Sequence, residues 1–322
     1  MLLALNKTGG FFLANYLCKL EPQTMQLKNP HLRRIEWAIF SPSLLSYPFS
    51  TEYIRDEAHK EFVLLLLQEL DSKPDQIDAH FDQLGNMPMG KYFEQLLFYI
   101  LDKDDRFDVL LKNYQILQGK QTIGEIDLIV KDTETGVVEH WEIALKYYLQ
   151  SKFSEDHAVM LGPNAIDNLA KKMKKLTEHQ LPLVADLSEL GISDTSTIQN
   201  KLLLKGQFFY HLSHGVPCNI FPKHINSSHE KGWWCHLSEV EKAIDKSLYW
   251  TTIWKPNWIG KLTKSLNHNL LDYSELHQLL KQHFQYEIYS ALCIGLKQEN
   301  GFWIEQTRGF VVNNDWPNGS KK

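Results

Sequence analysis

The chain has 322 residues, which is enough for one large domain or two smaller ones. Hydrophobic residues make up 43% of it and charged residues 23%, and this composition excludes a disordered or fibrous protein. The formal net charge of −5 excludes a polybasic, histone-like protein, although a local basic groove is compatible with it.

The cysteine spacing and the hydrophobic runs indicate where the protein works. No CxxC pair occurs among the cysteines at positions 18, 218, 235 and 293, which argues against a disulfide framework or a zinc ribbon and fits a reducing cytoplasm. The apolar run at 62–67 is far shorter than the roughly 20 residues that cross a bilayer. The N-terminus resembles a signal peptide only weakly, because it lacks a basic region and polar residues interrupt its apolar stretch. We expect a cytoplasmic protein with no membrane partner, and secretion is the less favoured alternative.

Residues 1–85 are predicted to form a helical N-terminal region. Apolar residues recur at helical spacing in 32–40 and 52–70, and a loop with two prolines separates these segments.

Residues 86–215 are predicted to form an α/β core. A helix begins near Gly90, and a basic helix is predicted at 164–181. Three strand candidates lie between these helices and a buried strand follows them, at 107–117, 122–131, 137–149 and 202–212. This order predicts a mixed central sheet flanked by helices.

Residues 216–322 are rich in aromatic side chains and are predicted to form a small α+β lobe. Trp250, Trp254 and Trp258 recur every four residues and could line a platform on which bases stack. Pro256 interrupts a regular helix there, and an aromatic stripe more often belongs to the core, so the core interpretation is favoured.

The residues that could carry chemistry concentrate in the hairpin 124–149. Its DTETG segment is typical of a turn, and a loop of 133–136 would place Asp127 directly opposite Glu142. Strand alternation puts Glu142, Ala144 and Lys146 on one face. Apolar residues on both sides of Glu142 favour a buried position for it.

Two carboxylates that face each other across a sheet repel, so they need a counter-charge. Lys146 is one candidate and a divalent cation is the other. Hard oxygen ligands are typical of Mg²⁺ or Mn²⁺, and Lys146 would then be placed to orient a water or to stabilise charge on a phosphate. The alternative is a solvated sheet face with an ordinary Glu–Lys pair.

These residues resemble the PD-(D/E)XK nuclease-like superfamily, whose core is a helix, a three-stranded meander, a helix and a strand. Its metal-binding acids are an Asp on the second strand, matched by Asp127, and a Glu on the third, matched by Glu142. Ala144 occupies the superfamily's lysine position, and Lys146 stands one strand period later on the same face. Glu94 matches an acid that the first helix often carries.

The resemblance implies a restriction-endonuclease-like core that binds Mg²⁺ or Mn²⁺ and acts on DNA or RNA. It also implies that the backbone carbonyl of Ile143 is a third metal ligand. In the second helix, Lys171, Lys175 or Gln180 would face the site as candidates for substrate binding.

The whole chain is also similar to a bacterial family, domain of unknown function 1853. The segments that carry this similarity are 31–45, 89–101, 140–149, 162–181 and 308–317. The similarity implies the nuclease-like fold and no measured activity.

Three hypotheses of function follow. The first is a metal-dependent nuclease with Asp127, Glu142, Lys146 and Glu94 in its active site. The second is a catalytically inactive nuclease-like module that binds nucleic acid or a protein partner, and the third is a structural interaction domain. The two acids favour the enzyme, whereas the displaced lysine and the acidic net charge favour the inactive alternatives.

Other patterns are weaker. The lysines at 171, 172, 174 and 175 could contact phosphates or form a solvated helix face. Nucleotide hydrolysis and dinucleotide binding are not indicated, because neither GxxxxGK[ST] nor GxGxxG occurs. Seven histidines and cysteines between 211 and 236 lack the tight pairs of a zinc site, so strand ends and loops are their favoured interpretation: His211, His214, Cys218, His224, His229, Cys235 and His236.

Overall fold

The computed structural model describes residues 27–118, 120–183, 197–212, 222–265 and 269–318. The α-helices in these ranges are α1 (Pro30–Phe40), α2 (Glu57–Asp71), α3 (Pro74–Leu84), α4 (Met89–Leu101), α5 (Leu169–Lys175), α6 (Val240–Ala243) and α7 (Tyr273–Tyr286). The strands are β1 (Phe107–Gln118), β2 (Gln121–Asp132), β3 (Val138–Gln150), β4 (Met160–Leu161), β5 (Gln199–His211), β6 (Lys231–His236), β7 (Tyr249–Ile253), β8 (Thr263–Ser265), β9 (Ala291–Glu299) and β10 (Phe302–Val312).

The strands join into one ten-stranded mixed sheet with the order β1-β2-β3-β5-β6-β10-β9-β7. β1, β2 and β3 form an antiparallel meander, whereas β3, β5, β6 and β10 run parallel to one another. Strands from beyond residue 215 therefore continue the sheet that the middle of the chain begins. The structure confirms a mixed sheet flanked by helices, and the division into three domains stays a prediction.

The predicted hairpin register is correct. Gly136 closes the turn with a φ of 71°, a left-handed conformation that glycine adopts without strain. The Asp132 N–H donates to the Val137 carbonyl over 2.9 Å. Pairing of β2 with β3 then continues as far as Leu128 opposite Trp141.

Helices cover both faces of β3. The face with Ile143 and Leu145 shares a buried cluster with Phe93 and Leu97 of α4. The opposite face, which carries Ala144 and Tyr148, packs against α5. The two helices predicted to flank the hairpin therefore do so.

The basic helix begins later than the sequence pattern predicts. Asn168 caps it by accepting a hydrogen bond from the Lys171 N–H over 2.8 Å, so α5 begins at Leu169 and not near Asn164. A π-helical turn, Leu176–Gln180, continues directly from α5. Such turns shift the direction of the side chains that follow, and here the turn sets the position of Gln180.

The structure also tests the predictions for the tryptophans, the cysteines and membrane-spanning segments. Trp250 and Trp258 are buried, at 1% and 6% exposure, whereas Trp254 is 51% exposed, so the three do not form one stacking platform. Cys235 and Cys293 are free and buried, and residues 18 and 218 lie outside the described part of the chain. Among the described residues, no helix has both the length and the apolar character that a membrane span requires.

Gly206 of β5 provides a test of how closely β3 and β5 approach. Its φ is 140°, and a Cβ there would lie 1.7 Å from the Lys146 carbonyl oxygen. We expect Gly206→Ala to lower the free energy of unfolding by at least about 3 kcal/mol, because it combines a backbone clash with a glycine-only conformation. Gly136→Ala is the control, since it has a positive φ but open space, and should cost about 1–2 kcal/mol. Urea denaturation of both variants measures the difference, and equal losses would contradict the close approach.

Candidate metal and active site

The candidate site lies where β2 and β3 separate. The last paired residues are Leu128 and Trp141. Asp127 and Glu142 lie one position further from the turn, opposite each other, so both carboxylates are on one face of the sheet. Beyond this point the Asp127 side chain takes the place of a backbone partner, because its Oδ2 accepts a hydrogen bond from the Ile143 N–H over 2.9 Å. The N–H and C=O of one strand residue point to the same edge, so the Ile143 carbonyl faces the side of β3 on which Asp127 lies.

Glu142 is fully buried, at 0% exposure. Its Oε2 accepts a hydrogen bond from Gln180 Nε2 over 2.5 Å. Its Oε1 lies 3.4 Å from His140 Nε2, and neither of these two atoms makes a hydrogen bond within the described residues. A buried carboxylate oxygen without a partner is costly, so this acid needs more compensation than its protein neighbours supply.

Asp127 is destabilised as an anion. Burial, and after it the charge of Glu142, raises the pKa of Asp127 to about 7, although the Ile143 N–H acts in the opposite direction. Asp127 is therefore partly protonated near neutral pH, unless a cation takes the place of that proton.

Glu94 of α4 lies close enough to Asp127 and Glu142 for the charges to interact, and its role in the site stays a prediction. Burial raises the pKa of Glu94, and the charges of Glu125 and Glu142 add to this against the effect of Lys91. The Lys91 ammonium donates to Glu94 over 2.8 Å and to Glu125 over 3.1 Å.

Lys172 is the cation that the structure turns toward the acids, and the sequence placed it in the basic patch but not among the site residues. Its Nζ lies 3.2 Å from Gln180 Oε1, and Gln180 in turn contacts Glu142. Burial lowers the pKa of Lys172, whereas the charges of Glu142 and Asp127 raise it. Lys171, by contrast, is exposed.

Helical spacing contained the signal for Lys172. Leu169, Met173 and Leu176 are the buried residues of this segment, and position 172 lies three after the first and four before the last. It therefore borders the buried stripe. Lys175 is exposed, so Gln180 is the one of the three predicted substrate-binding residues that reaches the acids, and the roles of the other two stay predictions.

Lys146 lies at the margin of the site. Its Nζ donates to Asp167 Oδ2 over 2.7 Å, and the Tyr148 hydroxyl lies 3.4 Å from the same oxygen. Lys146 also lines an open cleft of about 520 Å³ together with Ala144 and Lys255. The predicted lysine thus borders a space that a ligand can enter, while its charge is engaged by Asp167.

Comparisons with known proteins show the family of this chain. A family model described as Domain of unknown function (DUF1853) matches residues 33–312, which is most of the chain. The chain belongs to the DUF1853 family. No curated protein and no solved structure matched it. The matched range contains every residue of the candidate site, from Glu94 to Gln180, so the site lies inside the region by which DUF1853 is recognised.

The pKa of Asp127 predicts how the stability of this DUF1853 protein depends on pH. The folded value of about 7 lies above the ordinary value of 3.8, so between these values the folded chain holds a proton that the unfolded chain has released. In metal-free buffer the stability contributed by this group therefore falls as the pH rises through that window.

We expect Asp127→Asn to remove this part of the pH dependence. At about pH 8 the variant should be more stable than the wild type, by up to about 4 kcal/mol at 1.36 kcal/mol per pKa unit, and at about pH 4 the gain should vanish. Urea unfolding across this range measures both proteins, with Asp105→Asn, at an exposed turn, as the control. A wild type whose stability changes with pH no more steeply than that of Asp127→Asn would contradict the raised pKa.

Proposed function

We propose that this DUF1853 chain is a divalent-metal-dependent nuclease that hydrolyses phosphodiester bonds in DNA or RNA. The observation that carries the proposal is the incompletely compensated pair formed by the half-buried Asp127 and the fully buried Glu142. Burial of two acids that repel each other is unfavourable, and a divalent cation bound by both would offset this cost. The order α4, β1–β2–β3 meander, α5 and β5 parallel to β3 supports a PD-(D/E)XK core.

The residues present fit Mg²⁺ or Mn²⁺. Asp127 and Glu142 offer hard carboxylate oxygens, among them Glu142 Oε1, for which the described part of the chain provides no hydrogen bond. The Ile143 carbonyl lies at the same edge of β3. When bound, the ion supplies Lewis-acid stabilisation of phosphate charge and acidifies a water.

The other polar groups would serve the same reaction. Lys172 places N–H donors beside the acids, where they would hold an attacking water or a phosphate oxygen. Gln180 fixes Glu142 and accepts from Lys172, so it orients both groups. Glu94 adds a third carboxylate that would tune the site or hold a second ion, and Lys146 would contact substrate in the adjoining cleft.

The second candidate is a catalytically inactive nuclease-like module that binds nucleic acid or a protein partner. Two observations favour it: Ala144 stands at the superfamily's lysine position, and Lys146 is paired with Asp167. Lys172 favours the nuclease, because its ammonium would stand in for the lysine that the superfamily carries at position 144.

Cleavage of mixed DNA and RNA substrates with Mn²⁺ tests the proposal. The wild type should bind Mn²⁺ and cleave, whereas Glu142→Gln should lose both properties, because it removes a charged ligand from the buried pair. Glu178→Gln is the control, since it changes an exposed acid on the same π-helical turn that carries Gln180. A wild type without Mn²⁺ binding would overturn the enzyme, and binding without cleavage of any substrate would favour the inactive module.

Lys172→Met separates the roles of the lysines. We expect it to lower kcat by at least about 100-fold, the loss typical when a charge-stabilising donor is removed. Metal affinity should stay unchanged or become tighter, because a nearby positive charge is lost. Lys171→Met, its exposed neighbour, should keep kcat within about twofold, and Lys146→Met should show an intermediate loss. Equal activity of Lys172→Met and Lys171→Met would exclude Lys172 from catalysis.

A further inference from the structure

Two histidines and a glutamate meet at the edge of the sheet where parallel strands end. His211 is the last residue of β5, His236 is the last residue of β6, and Glu239 lies in the 3₁₀ turn Leu237–Glu239 that follows β6. His211 pairs with Trp234, which lies two residues before His236 on the same face of its strand. The parallel register therefore brings both imidazoles to one side of one edge.

The three side chains converge on one point. One ring nitrogen of each histidine and one carboxylate oxygen of Glu239 all lie within 4.8 Å of one another. His211 Nε2 lies 2.9 Å from Glu239 Oε2. The ligand atoms of a tetrahedral ion with bonds of about 2.0–2.2 Å lie about 3.3–3.6 Å apart, a spacing between the 2.9 Å contact and the 4.8 Å limit, so small side-chain movements would reach it.

Contacts outside the trio hold its members in place. His236 Nδ1 lies 3.2 Å from the carbonyl of Asn313, the residue that follows β10, and this contact holds the imidazole in place. The His236 backbone N–H donates to Glu239 Oε2 over 2.8 Å. The Trp234 ring packs edge-on against both imidazoles, at 4.4 and 5.3 Å. A backbone carbonyl behind a ligating histidine is a usual feature of metal sites.

We infer that His211, His236 and Glu239 form a Zn²⁺ site. Two imidazoles and one carboxylate are a ligand set typical of Zn²⁺, in contrast to the all-oxygen set at Asp127 and Glu142. The His211 side chain is 11% exposed and that of Glu239 is 36% exposed, so solvent reaches the trio and a water completes the tetrahedron.

This site is separate from the acidic pair. Glu142 pairs with Leu202 of β5, and His211 lies nine residues further along that strand, a distance of about 30 Å. A zinc ion here would tie the ends of β5 and β6 together, and it takes no part in chemistry at the acids.

Other members of the histidine and cysteine group play different parts. His229 contacts the Tyr210 hydroxyl, His224 stacks on Tyr47, and Cys235 is buried in a cluster on the other face of β6. Residues 214 and 218 lie outside the described part of the chain. Sequence spacing alone did not single out the trio, because Glu239 was not part of the predicted group.

Zn²⁺ titration of the full chain, stripped with EDTA and followed by a competing chromophoric indicator, tests the inference. The wild type should bind about one ion tightly at this site and gain several degrees in unfolding temperature. His236→Gln and Glu239→Gln should each lower the affinity at least about tenfold to 100-fold. His277→Gln on α7 is the histidine control, and Glu142→Gln should keep Zn²⁺ binding at the trio.

Glu239→Gln keeps a hydrogen-bond acceptor for His211, so we expect this variant to fold. A loss of Zn²⁺ affinity in it would then report on the carboxylate as a ligand and not on unfolding. Co²⁺ substitution adds a second readout, since a tetrahedral site gives an intense visible absorption that the two trio variants should lose. A wild type that binds no Zn²⁺, or folded variants that bind it as tightly as the wild type, would overturn the inference and leave an ordinary His–Glu pair.

Discussion

The hydrogen bond from the Ile143 N–H to the Asp127 carboxylate is the interaction on which the candidate site depends. It stands where the next rung of the β2–β3 ladder would be, so it ends the pairing and holds Asp127 beside Glu142. A hydrogen bond to a charged group contributes about 1.5–3 kcal/mol. The raised pKa of Asp127 means that burial and the charge of Glu142 outweigh this contribution. The fold thus keeps an acid pair that lowers the stability of the protein, and shifted pKa values of this kind are typical of functional sites.

The rest of the molecule is arranged around that pair. α4 delivers Glu94 from one side, and α5 with its π-helical turn delivers Lys172 and Gln180 from the other. Gln180 is central to this arrangement, because its amide donates to a carboxylate while its oxygen faces an ammonium. A helix of regular geometry would direct position 180 elsewhere, so the local irregularity supplies a contact that the regular elements cannot.

The hairpin could be predicted from the sequence because its determinants are local. Strand alternation and the turn at Gly136 fix which residues face each other, and the structure contains both the predicted turn and the predicted pairing. The sequence did not distinguish Lys172 from the other lysines of the basic patch, because adjacent lysines look equivalent until the helix start is known, and that start depends on the Asn168 cap. The parallel insertion of β10 beside β6 had no local signal at all, since two strands distant in sequence choose each other through packing.

The continuity of the sheet has a consequence for how the chain can be divided. β5 pairs on one side with β3 and on the other with β6, so its two edges belong to different thirds of the sequence. A fragment that stopped at residue 215 would leave the apolar β5 with a bare row of N–H and C=O groups. Such an edge recruits other chains and promotes aggregation. The aromatic C-terminal third therefore covers the edge of β5 that the hairpin half of the protein would otherwise expose.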